Sequence, residues 1–215
     1  MDDVDKLASE VIKRLRGASP VERSGGGDIP VAVSVRHVHI SRGVLDRLFG
    51  EGFQLTRMRD LGQPGEFASE QTLSVVGRSM RAIECVRIVG PVRNYTQFER
   101  SVTDAFLLGL DPPVRRSGDL VGSEPVTLVG PRGTMELKEG AILATRHLHM
   151  TERDAELQRV RDGDRVRIRF TGDRALVLEN VLVRVGRNAA LELHIDTDEA
   201  NAAGVRLPTT VRIHR

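Results

Sequence analysis

One five-residue pattern is written twice in this chain, and it limits what the chain can fold into. Residues 36–40 read Arg-His-Val-His-Ile and residues 146–150 read Arg-His-Leu-His-Met. Four of the six histidines lie in these boxes, His37 with His39 and His147 with His149. Histidines at i and i+2 of an extended strand point to the same face, because side chains alternate across a strand. Each box therefore offers two imidazoles to one point in space, an arrangement that suits a metal ion better than a core. Each box is also entered from a strand-like run, Val-Ala-Val-Ser-Val-Arg before the first and Ala-Ile-Leu-Ala-Thr-Arg before the second. Ser41 and Thr151 follow as helix caps, with helices expected to Phe49 and to about Gln158.

The correspondence continues beyond the boxes. They are related by an offset of 110, and Ala-Ile-Glu-Cys-Val at 82–86 matches Val-Leu-Glu-Asn-Val at 177–181 at an offset of 95. The change of offset implies a longer insert in the first half. Arg-Asn recurs at 93–94 and 187–188, followed in each half by a strand, Thr-Asp and a glycine, Gly109 or Gly204. The chain reads as a pseudo-duplicated pair of β units. At the offset of 95, Glu99 falls opposite His194. Alternation puts Tyr95, Gln97, Glu99 and Ser101 on one strand face, and Ala190, Glu192, His194 and Asp196 on another. Both faces are polar, which suits either solvent or a site.

The fold class follows from strand and turn signals. Short strand candidates lie at 30–36, 53–58, 72–76, 82–89, 95–102, 126–129, 134–137, 141–145, 165–170, 175–179, 181–185, 190–195 and 210–214. Gly-Gln-Pro-Gly at 62–65, Asp-Pro-Pro at 111–113 and Gly-Pro-Arg-Gly at 130–133 mark turns. Many short strands with two or three helices indicate small β-barrels or a sandwich, a mainly β fold. Residues 3–16 form an amphipathic helix with Val4, Leu7, Val11 and Leu15 on one face, followed by a Gly-rich linker over 17–28. Such an element docks on its own body, on a sister subunit or on a partner assembly.

Composition removes several function classes. The 32 basic and 30 acidic residues are mixed along the chain, and aromatics make up 3%, so neither a nucleic-acid footprint nor base-stacking platforms are expected. No apolar run reaches the roughly 18 residues of a membrane span. The acidic start Met-Asp-Asp-Val-Asp does not resemble a secretory signal, and a single cysteine, Cys85, allows no internal disulfide. The expectation is a cytosolic protein.

Imidazoles with a carboxylate suit zinc or another first-row divalent metal. Six candidate ligands exceed one tetrahedral ion, so two ions are expected: one held by Glu99, His147, His149 and His194, the other by His37 and His39 with open positions. Arg93 is a candidate anion ligand, since a planar guanidinium binds phosphate oxygens in pairs. Cys85 reads as a small core residue rather than an acyl-carrying nucleophile, its repeat counterpart being Asn180.

The two boxes, Asp-Leu-Gly-Gln-Pro-Gly-Glu-Phe at 60–67, Gly-Pro-Val-Arg at 90–93 with Gln97 and Glu99, Ser-Gly-Asp-Leu at 117–120 and His-Ile-Asp-Thr-Asp-Glu-Ala-Asn-Ala-Ala-Gly at 194–204 together resemble the PduL-type phosphotransacylases, the phosphate propanoyltransferases. The resemblance spans roughly 29–207. It implies two interlocked β-barrels with short capping helices: residues 29–36 plus 145–215 in one barrel, 37–144 in the other, and 1–28 as an N-terminal extension. It implies two zinc ions between the barrels, on the ligand sets just given, with Arg93 holding phosphate and Gln97 and Ser117 near it. The implied activity interconverts acyl-CoA, propanoyl-CoA or acetyl-CoA, plus phosphate with acyl phosphate plus CoA. Relatives housed in bacterial microcompartments, as in propanediol utilization, carry an N-terminal helix that takes them to the shell lumen. Residues 1–28 look like such an extension, with shell or cargo proteins as partners, and a homo-oligomer in the bacterial cytoplasm is expected. Two other readings use the same histidines: a cupin-like metal oxygenase, and a zinc-binding barrel without catalysis.

Overall fold

The computed structural model describes residues 28–214. The helix expected over 3–16 and nearly all of its linker lie outside the described residues. Fourteen strands and four helices follow one another in the order β1 (Ile29–Ser34), β2 (His37–His39), α1 (Arg42–Phe49), β3 (Arg57–Asp60), β4 (Phe67–Val76), β5 (Ala82–Gly90), β6 (Gln97–Glu99), α2 (Val102–Leu108), β7 (Val114–Arg115), β8 (Glu124–Gly130), β9 (Gly133–Ala144), β10 (His147–Met150), α3 (Glu152–Gln158), β11 (Arg165–Phe170), β12 (Leu176–Val185), β13 (Glu192–Asp196), α4 (Thr197–Ala202) and β14 (Thr210–His214). The chain is mainly β, in two closed barrels with short helices.

One barrel closes in the order β1-β13-β10-β12-β11-β14. The other closes as β4-β5-β2-β6-β9-β8, with β3 added beside β4 and β7 beside β9. The duplication is plain in the pairing. Box strand β2 runs parallel to β5 and antiparallel to β6, and box strand β10 runs parallel to β12 and antiparallel to β13. The strand entering each box belongs to the opposite barrel. β1 pairs with β13, then the chain crosses at Val35–Arg36 into β2; β9 pairs with β6, then crosses at Thr145–Arg146 into β10.

Alternation decides what each box buries. Val38 and Ile40 are fully buried in one core, and Leu148 and Met150 in the other. Each such side chain contributes about 1.5–3 kcal/mol of burial. That anchoring turns the intervening histidines out of both cores, towards the space between the barrels.

Several elements differ from the sequence expectation. The strand expected over 95–102 stops at Glu99, and Ser101 with Asp104 forms a capping box that starts α2. Asp196 and Glu199 do the same for α4. The run expected as strand over 53–58 enters β structure only at Arg57. Strands expected separately at 134–137 and 141–145 are one strand, β9, and those at 175–179 and 181–185 are one strand, β12. Helices α1 and α3 begin after Ser41 and Thr151 as expected, and α3 carries a full capping box.

Candidate active site

Strand register brings each box to a third ligand-type residue. His37 lies opposite Glu99 across β2 and β6, and His147 lies opposite His194 across β10 and β13. The result is two trios, His37–His39–Glu99 and His147–His149–His194, each with donor atoms within 4.8 Å of one another. Glu99 thus sits with the first box, its oxygens 3.7 Å from His37 Nε2 and 3.6 Å from His39 Nε2, rather than with the second as expected. The reason is the duplication itself. Glu99 and His194 occupy equivalent places on equivalent strands, so each serves its own barrel's box.

The histidine tautomers indicate what the trios are for. Nδ1 of His37 lies 2.9 Å from Val35 O, that of His39 3.4 Å from Val89 O and that of His147 2.7 Å from Thr145 O. A carbonyl oxygen only accepts, so these Nδ1 atoms carry the hydrogen and leave Nε2 with a lone pair. Yet Nε2 of His37 and His39 are 3.2 Å apart, and those of His147 and His149 are 3.0 Å apart. Burial, then the neighbouring histidines, hold His39 and His147 well below the ordinary imidazole range. Burial followed by His194 brings His149 to about 4. Protons are thereby disfavoured between the paired nitrogens, and converging lone pairs fit a divalent cation. Nδ1–H groups donating to backbone carbonyls are the usual support of metal-bound imidazole.

Both trios open on one cavity of about 570 Å³ between the barrels. Arg93 lines it, with Nη2 2.5 Å from Glu66 Oε1 and Nη1 donating to Tyr95 Oη at 2.7 Å. Tyr95 Oη is 3.5 Å from Ser117 Oγ, and Gln97 Nε2 donates to Ser117 Oγ at 2.9 Å and to Glu99 Oε1 at 2.5 Å. The expected residues Arg93, Gln97 and Ser117 therefore lie on one hydrogen-bonded chain that ends at Glu99. Gln97 is 0% exposed and reaches the cavity only through its neighbours.

The structure adds residues that sequence reasoning did not place in the site. Glu192 Oε2 lies 2.7 Å from His194 Nε2, and Gln63, from the other barrel, donates to that same oxygen at 3.2 Å. Burial raises the Glu192 carboxyl, but its hydrogen bonds with His194 and Gln63 outweigh this and leave it below its ordinary value. A Cβ at Gly62 would come within 2.4 Å of that carboxylate, which accounts for glycine there. The signal was available: Glu192 shares the His194 face by alternation. Arg184, opposite His149 in register, lines the cavity with no hydrogen bond or ion pair to a described residue. Burial, then Arg116, lowers its guanidinium. Cys85, expected in the core, is exposed and lines the cavity. A bulge in β5 gives it φ 56° and breaks the alternation that had placed it inside.

A sequence model of the phosphate propanoyltransferase family matches residues 30–206. The chain belongs to the phosphate propanoyltransferase family. Similar members include one from Thermotoga maritima, 52% identical over 92% of this chain and 93% of its own length. Another, from Lachnoclostridium phytofermentans, is 46% identical over 87% and 88%. One from Listeria monocytogenes is 44% identical over 94% and 91%. The chain is accordingly an acyltransferase, and the cupin reading and the reading without catalysis give way to it. No helix among the described residues is long and apolar enough to cross a membrane.

Proposed function

We propose that the chain interconverts a short acyl-CoA plus phosphate with the acyl phosphate plus CoA, by direct transfer at a site holding two divalent metal ions, zinc by its donor set. The observation that carries this is the pair of lone-pair-rich trios opening on one cavity that also holds Arg93 and Arg184. His37, His39 and Glu99 would hold one ion, and His147, His149 and His194 the other. Bound ions supply Lewis acidity that polarises the thioester carbonyl and favours the thiolate of CoA.

The protein's own groups do the positioning. Glu66 and Tyr95 each use one terminal nitrogen of Arg93 and leave further N–H groups free for phosphate oxygens. Arg184, which makes no hydrogen bond or ion pair to a described residue, offers a second guanidinium to the anion. A phosphate oxygen attacks the carbonyl carbon, the C–S bond breaks and the CoA sulfur leaves with the electron pair. Gln97 and Ser117 keep the Glu99 carboxylate and the Arg93 arm in one fixed chain, so the gain comes from orientation and charge stabilisation. No covalent protein intermediate is needed. Acetyl and propanoyl differ by one methylene, worth about 1–3 kcal/mol in a pocket, so the pocket separates the two chains by about 10- to 200-fold at most.

Strand pairing supports a division into one unit of 29–36 with 145–215 and another of 37–144. The amphipathic pattern of 3–16 supports an N-terminal extension that docks on microcompartment shell or cargo proteins, and with it a place in a compartment lumen. The central test measures metal content and CoA-dependent acyl-phosphate formation for wild type and His147→Ala. Wild type should carry two ions per chain, and the variant should lose one ion and at least about a hundredfold in turnover. Full metal with retained activity in the variant would sink the assignment. A ping-pong kinetic pattern with an isolable acyl-enzyme would reject direct transfer.

A further inference from the structure

The arginine that opens each box does the same thing in both halves, and it does it away from the imidazoles. Arg36 grips Asp104 with two contacts, Nε to Oδ2 at 3.0 Å and Nη2 to Oδ1 at 2.9 Å. Arg146 Nε lies 2.7 Å from Glu199 Oε1. Asp104 and Glu199 are equivalent at the repeat offset of 95. Each is the third residue of a short helix, and each closes the capping box that starts it, Asp104 with Ser101 and Glu199 with Asp196. Those caps stand two residues beyond the third members of the trios, Glu99 and His194.

The placement matters because the two arginines lie where the chain crosses from one barrel to the other. A crossover residue without side-chain anchorage leaves the following strand free to twist, and both imidazoles twist with it. Anchored to the carboxylate that follows the third-ligand strand, the box and that strand are held at both ends: by ladder register at His37↔Glu99 or His147↔His194, and by the ion pair beyond. Asp104 is buried while the Arg36 side chain reaches it from the surface, and the two parallel contacts fix the direction of the guanidinium. The helices also meet, since Thr103 N donates to Asp198 Oδ2 at 2.8 Å.

We propose that Arg36–Asp104 and Arg146–Glu199 are two separate positioning clamps, each setting the affinity of its own metal trio, the first for His37–His39–Glu99 and the second for His147–His149–His194. This rests on the metal reading above. The variants that test it, Asp104→Asn and Glu199→Gln, keep an amide able to close the capping box but remove the charge that the arginine grips. Each is titrated with Co²⁺ as full chain, following visible absorbance with chelator competition, with His37→Ala and His147→Ala identifying which equivalent belongs to which trio.

Glu199→Gln is expected to weaken the second-trio equivalent by about 10- to 100-fold and leave the first within about twofold, and Asp104→Asn to do the converse. A purely structural role lowers stability without this crossed pattern. Equal weakening of both equivalents in either variant, or unchanged affinities beside a lowered melting temperature, overturns the clamps while leaving the metal reading intact. Wild-type protein that takes up no Co²⁺ overturns the metal reading, and the clamps with it.

Discussion

At the scale of single residues, the site rewards polar groups that are satisfied and exposes one that is not. Arg100 follows Glu99 and is 2% exposed, yet its three guanidinium nitrogens have no hydrogen-bond partner among the described residues. Its charge is faced only at longer range by Asp104 and Glu124, and it lies 5.6 Å from the centre of the Phe98 ring. Burial brings the group down to about 10, so at neutral pH it is charged and its desolvation is only partly offset. Replacing it by an apolar side chain of similar length removes that cost. Arg100→Met should therefore be more stable than wild type by about 1–4 kcal/mol at pH 7, measured by denaturant unfolding. The sign of the pH dependence follows from the same shift. The unfolded chain holds this proton more tightly than the folded one, so the penalty is in full force below about pH 10 and fades as pH rises above it. The advantage of the variant should shrink in that direction, and an advantage that grows with pH would contradict the account.

At the scale of elements, the duplication reaches into backbone conformation. Cys85 and Asn180, matched in the sequence repeat, both adopt left-handed conformations, with φ 56° and 57°. Both lie at register shifts, in β5 against β4 and in β12 against β11. Asparagine tolerates that conformation, whereas cysteine pays about 1 kcal/mol for it. Cys85→Asn copies the second half into the first and should raise stability by about 0.5–1 kcal/mol, read as an increase in unfolding midpoint. The same variant should keep turnover within a few-fold, whereas loss of all activity would reinstate a covalent role for the thiol. The bulges also explain what the sequence could and could not disclose. Box strands, caps at Ser41 and Thr151, and the third members Glu99 and His194 were legible because alternation and repeat offset are local or additive. Cys85 was misplaced because one inserted residue inverts every later side chain on the strand. Helix α2 opens on the β-branched Val102 and Thr103, which suit a strand, although Ser101 and Asp104 carry the cap signal. Glu99 lies beside His37 and His39, the place that the repeat offset marks by setting it opposite His194.

At the scale of the whole molecule, exchange of β1 and β9 between barrels decides how the protein comes apart. Residue His194 has β10 on one side and β1 on the other, and Glu99 has β2 on one side and β9 on the other. The strand beside each third member therefore leads directly into the other trio's box. Neither barrel closes without a strand whose continuation is anchored in the other: removing β1 opens the first ring, and removing β9 opens the second. Two barrels joined only by a linker unfold as independent units, whereas two that share strands lose both rings together. Calorimetry of the metal-free protein should accordingly give one transition, with van't Hoff and calorimetric enthalpies in agreement. Expressed alone, residues 37–144 hold every strand of their ring but leave β9 without its anchored continuation in β10, so they should fail to give a cooperative transition. Two resolved transitions in the intact chain, or a cooperative 37–144 fragment, would show that the exchange is dispensable. Coupling of this kind also bears on catalysis. A cavity lined by both boxes keeps its shape only while both rings are closed, so loss of either one should abolish acyl transfer at the same denaturant concentration that unfolds the other.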